Sequence, residues 1–206
     1  MVINEVQTGS TTTPNQQFVE LYNPGASAVD ISGWRLQYQA QLAWAVPRPT
    51  VLARIPQGTS LAAGGYYLIA GAGYVSSSAQ PPSNATFASK SLTAVSGIGG
   101  ALGLRDGAGS LVDGVGWGVA NNEGFAPSAF ERASGAFVEN CAAQPRGVVP
   151  TAITPRLSSR ISAHRTPPSI PNGDSLVRLP NGQDAGSNCD DFSVTKTPSP
   201  GAANLP

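Results

Sequence analysis

The stretch Phe18-Val19-Glu20-Leu21-Tyr22-Asn23-Pro24-Gly25, running on through Val29-Asp30-Ile31-Ser32-Gly33 into Trp34-Arg35-Leu36-Gln37-Tyr38-Gln39, decides the fold. In its last part, Trp34, Leu36 and Tyr38 alternate with Arg35, Gln37 and Gln39, which is the period of a strand with one buried face. Its first part is a short strand closed by Asn23-Pro24-Gly25, residues whose backbone preferences favour a turn. Val29 and Ile31 form a brief element between the two, ended by Ser32-Gly33. Gly33 is expected to supply a backbone geometry closed to other residues. Trp34, with its indole on the apolar face, is predicted to anchor the core between two sheets.

Outward from this stretch the same signals recur. Val2-Ile3-Asn4-Glu5-Val6 opens the chain as a strand, and Tyr66-Tyr67-Leu68-Ile69-Ala70 has the length of a buried one. Ile55 to Leu61 supplies another short element. Ala101-Leu102-Gly103-Leu104 and Leu111-Val112-Asp113-Gly114-Val115 flank Asp106-Gly107, a good hairpin signal. Leu176-Val177-Arg178-Leu179 reads as the last strand, followed by Pro180-Asn181-Gly182. Helical periodicity is nearly absent, and the best candidate, Pro127 to Ser134, is short. About seven to nine short strands separated by turns predict an all-β sandwich. Residues 1–206 are expected to form a single domain. The stretches Ala40 to Arg54, Ala72 to Ile98 and Gly118 to Asn172 fit no hairpin, and the last is a long loop insertion. Such loops are either functional or disordered.

Composition supports this and narrows the partners. The 24 Gly and 18 Pro are about a fifth of the chain, which calls for many turns. Charged residues are only 12%, and the net charge is zero, so the whole chain is not steered toward nucleic acid or an anionic membrane. No apolar run approaches the ~20 residues of a membrane helix, so no membrane insertion is expected. No leader peptide is visible in this sequence; either the protein is cytosolic or a leader precedes Met1. Cys141 and Cys189 read as one disulfide in an oxidising compartment, or as two unrelated buried thiols.

Residues capable of chemistry are sparse. The single histidine, His164, lies in the long loop, and no nucleophile elbow accompanies it. Glu5 and Glu20 sit on early strands and could be neighbours, but polar edge positions explain them more simply. No catalytic residue is therefore assigned. Asp113 shares parity with Leu111, Val115 and Trp117, so it should point inward, where a carboxylate must find donors or neutralise. Asp184, Asn188, Asp190 and Asp191 make a segment dense in oxygen ligands. Calcium wants about six to eight of these, so a calcium ion is the one cofactor considered; a turn using Asp and Asn for local hydrogen bonds is the alternative. Between positions 132 and 173 stand Arg132, Arg146, Arg156, Arg160 and Arg165 against Glu139, a net charge of +4. Arg146, Arg156, Arg160 and Arg165 are candidate contacts to a polyanion such as nucleic acid or an acidic glycan. Few aromatics are interleaved there, which weakens the case for single-stranded nucleic acid. Trp44 and Tyr74 lie in other loops. If exposed they would bind a protein or glycan partner; if buried they would extend the core. Asn84-Ala85-Thr86 is a glycosylation sequon.

The chain resembles the lamin-tail domain family. The resemblance rests on Val2-Ile3-Asn4-Glu5-Val6, Phe18-Val19-Glu20-Leu21-Tyr22-Asn23, Val29-Asp30-Ile31-Ser32-Gly33-Trp34-Arg35-Leu36, and Ile55-Pro56-Gln57-Gly58-Thr59 through Gly64-Gly65-Tyr66. Leu104-Arg105-Asp106-Gly107 with Leu111-Val112-Asp113-Gly114-Val115 continues it. The ending Asp190-Asp191-Phe192 with Thr197-Pro198-Ser199-Pro200-Gly201 is similar to that of bacterial members. The resemblance implies an immunoglobulin-like sandwich without enzymatic activity, an accessory module of a secreted or cell-surface bacterial protein. The 118–172 insertion and the cysteine pair depart from the family pattern.

Overall fold

In the computed structural model, the described residues are 1–9, 16–40, 49–77, 80–88, 100–117, 170–186 and 188–205. In chain order the strands are β1 (Val2–Gln7), β2 (Phe18–Tyr22), β3 (Val29–Asp30), β4 (Arg35–Ala40), β5 (Thr50–Arg54), β6 (Ser60–Leu61), β7 (Tyr66–Ala70), β8 (Ala85–Thr86), β9 (Gly100–Arg105), β10 (Leu111–Trp117), β11 (Ser175–Arg178) and β12 (Phe192–Thr195). One turn of helix, α1 (Asn188–Asp191), precedes β12. The first sheet runs β12-β11-β1-β2-β7-β8, the second β10-β9-β4-β5, and β3 pairs with β6 as a short ribbon. The fold is an all-β immunoglobulin-like sandwich, as the alternation and the resemblance predict.

Alternation decides which side chains meet. Ile3, Val6, Val19, Leu21, Ile69 and Leu176 from the first sheet pack with Leu36, Leu52, Leu102, Leu104, Val115 and Trp117 from the second in one buried cluster. At roughly 1.5–3 kcal/mol for each large side chain removed from water, this cluster is the main source of stability. The Asp106-Gly107 signal is borne out: β9 and β10 pair antiparallel around a turn in which Gly109 N donates to Asp106 O at 3.1 Å.

Three strands escaped the sequence reading. β5 lies inside the stretch from Ala40 to Arg54, β8 is two residues long, and β12 is a four-residue edge strand. Each is too short or too mixed for alternation to mark. The expectation for Trp34 also needs correction. Its indole is only partly buried and packs against the margin of the core, whereas Trp117 is fully buried. Trp34 stands before β4, in a turn where its N–H donates to Ile31 O at 3.2 Å, so it sits at the end of the sandwich. Gly33 in that turn has φ 72°, a conformation open to glycine as expected.

Asp113 fixes how the sheets are aligned. Near the start of β10, it accepts from Ile3 N near the start of β1 and from Arg178 at the end of β11. Trp117, Gly100 and Ala40 are consecutive register partners. They therefore lie at the same end of the sandwich as Gln7, Phe18, Ala70 and Ser175, which are partners in the first sheet. At this end the chain leaves the described body into residues 10–15, 41–48 and 118–169, and re-enters it from residues 89–99.

Candidate functional site

The register between β1 and β2 shifts between Ile3 and Glu5, leaving Asn4 as the extra residue of a bulge. Glu5 then lies directly opposite Glu20, with Val177 and Leu68 as the outer members of the row. Both glutamates are fully buried. Ser175 Oγ donates to Glu5 Oε1 at 2.5 Å, and Asn4 Nδ2 donates to Glu20 Oε1 at 3.0 Å. The C-terminal segment supplies the remaining donors. Ser199 N reaches Glu5 Oε1 and Oε2 at 3.1 and 3.2 Å, and Gly201 N reaches Glu20 Oε2 at 2.5 Å. Asn204 Nδ2 closes the cover by donating to Asn4 O and to Arg178 O, both at 3.0 Å.

Burial pushes Glu5 up to about 7, with the bonds from Ser175 and Ser199 pulling it back. Burial likewise pushes Glu20 up to about 8, and the neighbouring charge of Glu5 adds to the rise. The ion pairs found among the described residues all belong to Arg178, so neither glutamate has a cation for company there. Reading these residues as polar edge positions is thus corrected. β1 and β2 are the two central strands of their sheet, and their outer face is covered. A glutamate that alternates with apolar residues looks the same to sequence reading whether its face meets water or another part of the chain.

A second polar cluster sits between the sheets. Arg178 is 1% exposed, and its fork is fully occupied. Its Nε donates to Ile3 O at 3.0 Å, Nη1 to Gln183 O at 2.7 Å, and Nη2 to Asp113 Oδ2 at 2.9 Å. Asp191 Oδ2 lies 3.1 Å and Asp184 Oδ1 3.8 Å from Nη1, and the Phe192 ring lies 4.4 Å below the guanidinium carbon. Asp113 points inward, as its parity predicts. It also accepts from Ile3 N at 2.6 Å and Gly114 N at 2.9 Å. Burial raises its carboxyl above the ordinary value, and Arg178 opposes that rise. Arg178 went unremarked in the sequence; the available signal was a cation inside the apolar run from Leu176 to Leu179.

The other expected site residues divide in three. Asp184 and Asp191 face Arg178 and share its charge. Asp190 is exposed and Asn188 buried, and among the described residues no group of three or more His, Cys, Asp or Glu is placed to hold a metal ion. Tyr74 is partly buried, packs edge-on against Phe18 with centroids 6.1 Å apart, and donates to Pro81 O at 2.8 Å. It extends a small core with Phe18, Leu68 and Ala70, the second of the two readings its loop position left open. Trp44, His164, Cys141, Arg146, Arg156, Arg160 and Arg165 lie outside the described residues. Cys189 is in α1, and its side chain is likewise outside them.

Both clusters are turned to bonds within the chain. The glutamate pair is closed off, and its partners among the described residues are the Ser175 and Ser199 hydroxyls, the Asn4 side-chain amide and the backbone amides of Ser199 and Gly201. The three acids around Arg178 share one buried cation. What the pair can do is exchange a proton and hold the C-terminal segment. Comparison with known proteins adds one finding: residues 1–119 match the sequence profile described as Lamin Tail Domain. No curated protein matches the chain significantly.

Proposed function

The chain belongs to the lamin-tail domain family, and from that premise we propose that it is a non-catalytic interaction module of a secreted or cell-surface bacterial protein, binding a protein or glycan through loops at one end of its sandwich. The observation that carries this reading is that the described residues bordering 10–15, 41–48 and 118–169, together with Gly100 after 89–99, lie at a single end of the body. Immunoglobulin-like sandwiches present their variable contacts from loops gathered in this way, because a rigid sheet end fixes where the loops start. Trp44 and the arginines from Arg132 to Arg165 belong to these segments. A family that is generally non-enzymatic, and two polar clusters turned to internal bonding, support the absence of catalysis. Low charge and many turns support an exported setting, where Cys141 and Cys189 could form a disulfide.

The test is an array of bacterial cell-surface polysaccharides and surface proteins, probed with the full chain. A companion variant has residues 41–48 and 119–168 replaced by short Gly-Ser links. Binding by the full chain that disappears in the variant is the expected result. Equal binding by both would remove the loop-bearing end from consideration.

A polyanion reading has its own observation. Arg54, Arg35 and Arg105 stand in one cross-strand row on the second sheet. Among the described residues, none is ion-paired. This reading predicts retention on heparin or DNA that weakens steeply with salt, since phosphate or sulfate contacts release counterions. Arg35→Gln/Arg54→Gln would flatten that slope if the row is the contact; an unchanged slope would leave the arginines of 132–165.

A further inference from the structure

The covered glutamate pair is the one feature that neither a scaffold nor a loop-bearing end requires. Two carboxylates in direct register are among the least favourable cross-strand pairs, because like charges face each other at about 5 Å. Here they are also shut away from water. The titratable and polar groups around them are few. On β7 there is the phenol of Tyr66, and in the loop after β7 the phenol of Tyr74, whose rise to about 12 owes most to burial and then to the charges of Glu20 and Glu5. From β11 there is Ser175, and from the C-terminal segment Ser199, Gly201 and Asn204, none of them charged. Lys196, where β12 gives way to that segment, is exposed and forms no ion pair among the described residues.

Something must give when both carboxylates ionise, and the parts differ in how firmly they are held. β1 and β2 are central strands, paired on both sides and packed into the core. The segment over the glutamates is held by a handful of bonds: Ser199 and Gly201 to the pair, and Asn204 to Asn4, Arg178 and Asn181. Lifting it would hydrate both carboxylates while leaving every strand paired. We propose that Glu5 and Glu20 form a proton-operated latch: while the pair retains a proton the C-terminal segment stays docked on the outer face of the first sheet, and loss of the last proton releases it. Release uncovers Glu5 and Glu20, the acids at the centre of a cross-strand row whose outer members are Val177 and Leu68. The values of about 7 and 8 place the transition near neutral pH.

The experiment is amide hydrogen exchange on the full chain from pH 5.5 to 9.5, corrected for intrinsic rates, read at Ser199 and Gly201 against β2 and β7. Protection of the two C-terminal amides should fall at least tenfold across this range while the β2 and β7 amides hold theirs. In Glu5→Gln/Glu20→Gln, whose side chains stay neutral, C-terminal protection should be flat with pH. Constant protection in the natural chain would overturn the proposal, even if the variant failed to fold. So would a parallel loss in β2 and β7, which would mean that the whole sheet opens rather than its cover.

Discussion

At Glu5 and Glu20, solvation and hydrogen bonding pull in opposite directions, and burial wins. A carboxyl whose folded value stands above its ordinary 4.5 prefers its proton in the folded chain. Its contribution to stability is therefore full below about pH 4.5 and is lost as pH rises through about 7 and 8. Urea midpoints at pH 5.5 and 8.5 should show the natural chain weaker at the higher pH, and Glu5→Gln/Glu20→Gln should close that gap; parallel profiles would contradict the assignment. Arg178 poses the reverse problem, a buried cation whose removal strands Asp113 and Asp191. Arg178→Ala should cost about 3–5 kcal/mol in denaturant titrations, the usual cost of breaking a buried pair from one side. Arg178→Ala/Asp113→Ala should cost less than the two single losses together, because the second change removes a carboxylate already left without its partner. Between the tryptophans, Trp117→Ala should cost about 3–5 kcal/mol, and Trp34→Ala clearly less, since its indole is already partly in water.

Among the elements, the C-terminal segment ties three strands together. Ser199, Gly201 and Asn204 satisfy donors or acceptors on β1, β2 and β11 at once. Gly201 has φ 80°, and an added Cβ would stand 2.7 Å from Pro81 Cγ. Gly201→Ala should therefore strain the segment by roughly 1 kcal/mol or more. Exchange of the Ser199 amide should then quicken at every pH, and the β9–β10 hairpin, in the other sheet, should keep its protection. The hairpin is the element most open to sequence reading, because Asp106-Gly107 is a local signal that carries its own turn chemistry. β5, β8 and β12 were not open to it: each is an edge or near-edge piece that earns its strand form from the neighbour it pairs with.

For the whole molecule, the family match ends at residue 119, but the first sheet does not. β11 and β12 come from beyond it and complete that sheet beside β1, and Arg178 of β11 answers Asp113 of β10. A fragment ending at residue 119 would expose the edge of β1, leave Asp113 unpaired and lose the cover over the glutamates. Such a fragment should not show a cooperative thermal transition, whereas the full chain should unfold in one step with tryptophan fluorescence and far-UV circular dichroism coinciding. Two separated transitions in the full chain would contradict the expectation of a single domain across residues 1–206.

The alternation of Trp34, Leu36 and Tyr38 against Arg35, Gln37 and Gln39 was enough to establish strands, and turns rich in Gly, Pro and Asn were enough to establish a sandwich. Both are local properties: side-chain period follows from strand geometry, and turn preference from backbone sterics. The inward direction of Asp113 was legible for the same reason. Only the tertiary structure could decide which outer face is covered and by what. Glu5 meets Ser199 across 194 positions of chain, Asp113 meets Arg178 across 65, and the indole that fills the core is Trp117 rather than Trp34. Such partners are chosen by how two sheets and a returning tail pack, and that choice leaves no periodic trace in either segment.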